Sequence, residues 1–401
     1  MPLIALWGSD PSTVAQFTIE QIVSFAGNGK LADSSVCSEE LREYLSNADT
    51  TTLAKYAEHC LTEKFEKSGQ VLQDIVNEFG RRLDYKVTNG LYAGRKNAVG
   101  NDGLWLAPEG HSVVVEVKTT DAYRIPLDVI ARYRSDLAMS ETIGASSSIL
   151  IVVGREDTGE LEAQVRGSRH AWDIRLISVE ALIKLVKIKE NSEEIETGKK
   201  IREVLIPIEY TRVDGLVDVV FAAASDAQDQ IAEPIGSEAV AQSVANPDRT
   251  YSSDASAIQL VRESIVTAMN RKNGISLIKK SRAMFWTPDH TFRIACAVSK
   301  RYQSGNDYWY AFHPSWLEFL EDNTSSFFVL GCVDLQRAFA LPIGDLKAVL
   351  PKFNKTERPD GGMYWHVKLD VSAAGEVMLN VPKADPINVE KYSIAFGSIG
   401  I

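Results

Sequence analysis

Residues 112–118 read SVVVEVK. Three successive valines favour an extended strand, and a strand that is apolar on both faces belongs inside a sheet covered on both sides. Alternation puts Val114, Glu116 and Lys118 on one face and Val113, Val115 and Val117 on the other. An acid and a base in the interior of a sheet are costly unless they are paired or hold something between them. Taken alone, E-V-K also fits a solvated cross-charge pair; its apolar surroundings argue for the first reading.

Upstream, DGLWLA (102–107) has strand character, and PEG (Pro108 to Gly110) has the composition of a three-residue hairpin loop. With that loop, Ala107 faces His111 and Asp102 faces Glu116. Opposed side chains on a hairpin lie about 5 Å apart at Cβ, and two carboxylates there repel unless a cation separates them. A one-residue change in the loop would turn Asp102 to the other face, so everything rests on this register. Asp-x13-Glu-x-Lys offers the hard oxygen ligands that Mg2+ prefers, with the Val117 carbonyl as a third and Mn2+ expected to substitute. Lys118 would orient or deprotonate an attacking water and offset charge developing on a phosphate.

The rest of the chain fits this hairpin into an α/β domain. Residues 11–26 and 38–62 carry helical periodicity with Ser or Asp caps, giving a helical N-terminal segment over 1–60. KFEKSGQVLQDIVNEFG predicts a helix over 64–80, with Phe65, Val71, Leu72, Ile75, Val76 and Phe79 on one face. YKVTNGLY and SSILIVVG read as further strands, PLDVIARYRSDLAMSE as a crossover helix, and WDIRLISVEALIKLVKIK as a strand followed by a helix. This domain is placed at 61–221. Residues 222–255 are small, acidic and without aromatics until Tyr251, the composition of a flexible linker. Beyond it, 256–401 predicts a helix at about 256–273 and then strands TFRIACAVSKRY, DYWYAF, SSFFVLGCVD, AFALPI, YWHVKLDV and EVMLNV, with a short helix GDLKAVL: an α+β domain with a largely antiparallel sheet.

Charge divides along the same boundary. Residues 256–401 hold 17 basic and 14 acidic side chains, whereas residues 1–255 hold 26 and 40, so the two parts carry +3 and −14. Two separate tasks fit this asymmetry better than one continuous fold. The four cysteines, Cys37, Cys60, Cys296 and Cys332, have neither disulfide nor zinc spacing and read as reduced core residues. No apolar run is long enough to cross a bilayer, and the start MPLIALWGSD lacks a signal peptide's basic stretch, so no membrane partner and a cytoplasmic location are expected.

Asp102 in NDG, then Glu116-Val117-Lys118, preceded by a helix and followed by a crossover helix and a strand, resembles the PD-(D/E)XK nuclease superfamily. Within it, EVKTTDAYRIPLDVIARYR, SSILIVVG and IRLISVEALIKLV look most like the cleavage domain of FokI-type restriction endonucleases, over about residues 60–190. The resemblance implies a restriction-endonuclease-like α/β domain, a mixed sheet flanked by helices, that hydrolyses DNA phosphodiesters with Mg2+. It also implies Asp102 and Glu116 as metal ligands and Lys118 beside the water. The superfamily's proline before the aspartate is Asn101 here. Where many relatives carry a first-helix glutamate, this chain has Gln73, with Glu66 and Asp74 nearby; the alternative for Gln73 is helix packing.

Other residues carry two readings each. Arg95 and Lys96, in YAGRKNAVGND, sit where a tethered cation reaches a phosphate or where a turn is merely solvated. Thr119, Thr120, Tyr123 and Arg124 follow the central strand and line a substrate groove in one reading, with Tyr123 capping the core in the other. His111 and His170 read as structural. Arg271, Lys272, Lys279, Lys280 and Arg282 form a basic cluster suited to a DNA backbone or to a charged helix end. Trp286, Tyr302, Trp309 and Trp316 suit base stacking or core packing.

The function these features predict is a Mg2+-dependent DNA endonuclease, in restriction-modification or phage defence, whose C-terminal domain recognises the target DNA. It would act as a homodimer at least during cleavage, since one such site cuts one strand. Two alternatives stand beside it. One is a nuclease switched on by a ligand or protein partner bound at the C-terminal domain. The other is a non-catalytic nucleic-acid-binding or assembly protein on a degenerate nuclease fold.

Overall fold

The computed structural model describes residues 3–63, 65–93, 100–119, 124–154, 159–192, 195–207, 252–301, 307–321, 325–357, 363–372 and 375–397. The chain divides into two units, Met1–Ala223 and Ala224–Ile401. The division falls at the start of the small, acidic stretch expected over 222–255, most of which lies outside the described residues.

The first unit begins with helices α1 (Leu3–Ser9), α2 (Pro11–Val14), α3 (Ile19–Phe25), α4 (Val36–Asn47), α5 (Thr50–Thr62) and α6 (Ser68–Arg82). A five-stranded sheet follows in spatial order β1 (Lys86–Asn89), β2 (Gly103–Leu106), β3 (Ser112–Lys118), β4 (Ser147–Val153) and β5 (Ile174–Ser178). Strands β1 to β3 run antiparallel and β3 to β5 parallel. Helices α7 (Leu127–Met139), α8 (Gly159–Arg166), α9 (Val179–Asn191) and α10 (Ile195–Leu205) complete the unit.

The valine strand sits at the centre of this mixed sheet, as its two apolar faces require. Val113, Val115, Leu150 and Val152 pack with α6, α9 and the N-terminal helices. Val114, Ile149, Ile151 and Val153 pack with α7 and α8. Leu3, Ile22, Leu41 and Leu53 share one buried cluster with Phe79 and Trp105. The first sixty residues are therefore helical as expected, but they join the core of the sheet rather than stand as a segment of their own.

Helix α6 differs from its expected span of 64–80. Lys67 takes a left-handed backbone with φ of 69°, so the helix starts at Ser68, and it runs on to Arg82. It is also buried far beyond its apolar stripe: Gln73, Asp74, Asn77, Glu78 and Arg82 are all at most 4% exposed. Polar groups buried this deeply need internal partners. Asp74 meets Arg42 at 3.0 Å and the hydroxyl of Tyr92, while Glu78 meets Arg82 at 3.0 Å. Arg82 also donates to the carbonyls of Ser46 (3.2 Å) and Ala48 (2.6 Å) at the end of α4. Lys189 on α9 donates to the Arg82 carbonyl at 2.8 Å and to Asp84 at 2.9 Å. Burial pushes the Asp74 carboxyl up, with the Arg42 guanidinium opposing.

The second unit opens with α11 (Ser252–Asn273), which begins four residues before its expected start. One sheet has the order β16 (Ser393–Ala395), β11 (Arg337–Pro342), β10 (Ser325–Cys332), β8 (Phe292–Ser299), β7 (Met284–Trp286) and β6 (Ile278–Lys279). A second links β12 (Lys355–Glu357), β13 (Met363–Val371), β14 (Val377–Asn380) and β15 (Ile387–Asn388), with β9 (Asp307–Phe312) pairing β13. Among the described residues all strand pairs of this unit are antiparallel except β8 with β10, so where one largely antiparallel sheet was expected there are two, the first with a parallel junction. Helices α12 (Pro314–Glu321) and α13 (Ile343–Val349) lie along the same stretch of chain. No described helix in either unit is long and apolar enough to cross a membrane.

The buried charges of α6 set the first prediction. Removing Arg82 takes from the buried Glu78 carboxylate one of its two cationic partners, leaving Arg81 at 3.2 Å, and strands two carbonyls in the interior, so Arg82→Ala should cost about 3 kcal/mol in urea denaturation. Arg166→Ala, which deletes an exposed pair with Glu162 on α8, should cost less than about 0.5 kcal/mol. Equal, small losses would contradict the role assigned to Arg82.

Candidate active site

The β2–β3 register pairs Gly103 with Val115, Leu104 with Val114, Trp105 with Val113 and Leu106 with Ser112. It is the register that the three-residue loop predicts, and the loop closes with Ala107 N–H on the His111 carbonyl at 2.9 Å. Strand β2 begins at Gly103, so Asp102 is the residue just before it. Its N–H donates to the Val115 carbonyl at 3.0 Å, and its Oδ2 accepts the Val117 N–H at 2.7 Å. In a strand, the N–H and C=O of one residue project to the same side. The Val117 carbonyl therefore points toward the edge that β2 has vacated, where Asp102 sits. Glu116 and Lys118 turn their backbone to β4, as the Gly154 N–H on the Lys118 carbonyl at 2.8 Å confirms.

Glu116 is buried, and its Oε1 pairs with the Lys118 ammonium. The Lys118 side chain is 30% exposed against 9% for that of Glu116, so the site opens to solvent on the lysine side. Glu116 Oε2 is buried with no hydrogen-bond partner among the described residues. Burial first, and then the Glu116 charge, push the Asp102 carboxyl up to about 7, against the pull of the Val117 N–H and of Lys118. Burial raises Glu116 as well, with Lys118 opposing.

A hard divalent cation fits these residues. It would satisfy the orphaned Glu116 oxygen and offset the repulsion between the two carboxylates, and every donor facing it is an oxygen: Asp102, Glu116 and the Val117 carbonyl. Among the described residues no three His, Cys, Asp or Glu side chains gather as a metal cluster. A cation here would rest on two carboxylates, one carbonyl and water, the sparse protein ligation usual for Mg2+.

Helix α6 reaches this site through backbone rather than through a ligand. Gln73 Nε2 and Asn77 Nδ2 each donate to the Asp102 carbonyl at 2.9 Å, and the Gly90 N–H joins them at 3.0 Å. Gln73, read from sequence either as a first-helix contributor to the metal or as helix packing, uses its amide nitrogen to grip the Asp102 carbonyl. Asp74 is taken by Arg42 and Tyr92, and Glu66 is exposed ahead of the helix. Sequence reading missed Asn77. Its signal was an amide four positions after Gln73, on the same face of the helix.

The remaining predicted residues divide. Thr119 is half-buried beside the start of α6, where a Cβ on Gly69 would come within 3.9 Å of its methyl group. Arg124 is exposed in the segment leading to α7. Arg95, Lys96, Thr120 and Tyr123 lie outside the described residues. His111 bridges Ser146 and Ser148 at 2.8 Å each, and His170 bonds Asp128 at 2.9 Å, both structural roles.

In the second unit the basic cluster does not form one open surface. Arg271 and Lys272 are exposed at the end of α11, with Lys272 donating to the Ser393 carbonyl at 3.3 Å. Lys279 is half-buried, Lys280 stands 4.3 Å over the Trp286 ring, and Arg282 is only 7% exposed. Trp316 is buried core. Trp286 stacks on His290, and Trp309 donates to His366 at 3.0 Å, while Tyr302 lies outside the described residues. Lys272 thus has a backbone carbonyl as partner, Lys280 an aromatic ring, and Arg282 is turned inward.

Comparison of the chain with protein-family models and with curated proteins finds no match.

The raised Asp102 carboxyl has a measurable sign. The folded chain keeps its proton up to about pH 7, whereas the unfolded chain releases it near 3.8. The stability that this proton contributes is therefore complete below the unfolded value and lost as pH rises through the folded one. Without added cation, wild type should gain stability relative to Asp102→Asn as pH falls from about 7.5 to about 4, by at most roughly 4 kcal/mol. A difference that does not vary with pH would contradict this electrostatic picture.

Proposed function

We propose that the chain is a divalent-cation-dependent endonuclease that hydrolyses DNA phosphodiester bonds through a restriction-endonuclease-like site at Asp102, Glu116 and Lys118. The observation that carries this reading is the buried, unpartnered Glu116 Oε2 next to Asp102, with Lys118 on the solvent side of the same strand. Bound there, Mg2+ or Mn2+ would make a water acidic enough to attack and would draw charge from the phosphate. The chain's own part is to hold that chemistry in place. The Val117 N–H fixes one Asp102 oxygen, Glu116 Oε1 holds the lysine ammonium, and Lys118 offsets negative charge on the phosphoryl oxygens as the ester bond opens. One such site cuts one strand, so double-strand cleavage calls for two copies of the chain. Restriction or another form of phage defence is the setting we assign to it.

The second unit is proposed as the part that selects what is cut. A second reading makes it a sensor whose ligand or protein partner switches the nuclease on. The dispersal of its basic residues favours that variant, because Arg282 is buried and Lys280 is engaged with Trp286.

Plasmid cleavage tests the proposal. Wild type should nick or linearise DNA only with Mg2+ or Mn2+, and Asp102→Ala, Glu116→Ala and Lys118→Ala should each lose at least about 100-fold in rate. Cutting that survives Lys118→Ala, or that needs no cation, would overturn the assignment.

A further inference from the structure

Asp102 is the residue just before β2, which begins at Gly103, and its N–H donates to the Val115 carbonyl. The Asp102 carbonyl oxygen accepts three donors: Gln73 Nε2, Asn77 Nδ2 and the Gly90 N–H. Gln73 and Asn77 are four residues apart on α6, so both amides project from one face of the helix. The orientation of the Asn77 amide is fixed by chemistry. Trp105 Nε1–H can only donate, and it lies 2.9 Å from Asn77 Oδ1, which turns Nδ2 toward Asp102. Gln73, Asn77 and Trp105 are all at most 4% exposed, so water does not compete for these bonds.

Two glycines make the cradle close enough to work. A Cβ at Gly103 would lie 2.1 Å from Asn77 Oδ1, and one at Gly90 would lie 1.9 Å from the Asn101 carbonyl. Any side chain at either place would push the helix amides or the incoming loop off the Asp102 peptide. Together with the Val115 carbonyl on its N–H and the Val117 N–H on its Oδ2, Asp102 is held at three points. This leaves its carboxylate one direction, beside Glu116.

Resting on the reading of this site as a cation site, we infer that Asn77 and Gln73 are positioning residues for the cation: they hold the Asp102 peptide so that its carboxylate and that of Glu116 converge. Neither touches the cation or the substrate. Their loss should weaken cation binding and leave the rate at saturating cation much less affected.

The test is Mn2+ binding to the full-length chain, followed by loss of the free-ion electron paramagnetic resonance signal, beside cleavage rates as a function of cation concentration. Gln73→Met keeps the volume and leaves Trp105 its acceptor, and should weaken Mn2+ binding about fivefold, the value of one buried hydrogen bond. Asn77→Ala should weaken it about tenfold or more, since it also frees Trp105. Both should recover most of the wild-type rate at high Mn2+. Leu182→Ala, in the same core on α9, is the control for simple destabilisation and should bind as wild type does. Wild-type affinity in folded Gln73→Met, or an equal loss in Leu182→Ala, would overturn the inference. A wild-type chain that binds no Mn2+ would instead overturn the cation reading beneath it.

Discussion

The arrangement of the first unit turns on one carbonyl oxygen. Asp102 sits just before β2, its N–H donating to the Val115 carbonyl and its own carbonyl accepting the Gly90 N–H, and that carbonyl has room for further donors. Helix α6 supplies them, and it can do so only by lying against the sheet with polar side chains buried. That choice imposes a second set of demands. Asp74, Glu78 and Arg82 go inside with Gln73 and Asn77; Glu78 is met within the helix by Arg81 and Arg82, while Asp74 and Arg82 draw partners from other elements: Arg42 and Ser46 on α4, Ala48 beyond it, Tyr92 after β1. The N-terminal helices thereby become part of the site's support.

Energetically the unit sets apolar burial against deliberate electrostatic cost. Two layers of Val, Ile, Leu and Phe around β3 and β4 provide the favourable term. Against it stand two carboxylates near each other in a poorly solvated place, one of them with a bare oxygen. Buried groups whose protonation is displaced from its ordinary range collect at functional sites, because function needs what stability alone would remove. The lysine softens the cost without cancelling it, as it is shared with solvent. A cation would cancel more of it, and the pair of acids is the reason to expect one.

Much of this could be read from sequence where a periodicity or a loop length fixed the answer. The alternation of SVVVEVK placed Glu116 and Lys118 on one face, and PEG fixed the register that brings Asp102 beside Glu116. What could not be read depends on contacts distant in the chain. Asn77 is an ordinary helix residue until Trp105 and Asp102 fold against it. The start of α6 was misplaced because nothing local announces that Lys67 adopts a left-handed backbone. In the second unit, α12 is a short helix that was not expected, although its apolar residues Trp316, Leu317, Phe319 and Leu320 have helical spacing. The parallel pairing of β8 with β10 is settled by β9 and α12 intervening between them, not by either strand. The basic cluster misled for the opposite reason: proximity in sequence says nothing about whether Arg282 faces water or the interior.

The central claim is that the space between Asp102 and Glu116 holds a divalent cation. The most direct measurement is anomalous diffraction from crystals of the chain grown with Mn2+. The account predicts one strong peak within about 2.5 Å of an Asp102 oxygen, of Glu116 Oε2 and of the Val117 carbonyl. Crystals in which Mn2+ leaves that position empty, or settles only on surface carboxylates, would contradict it.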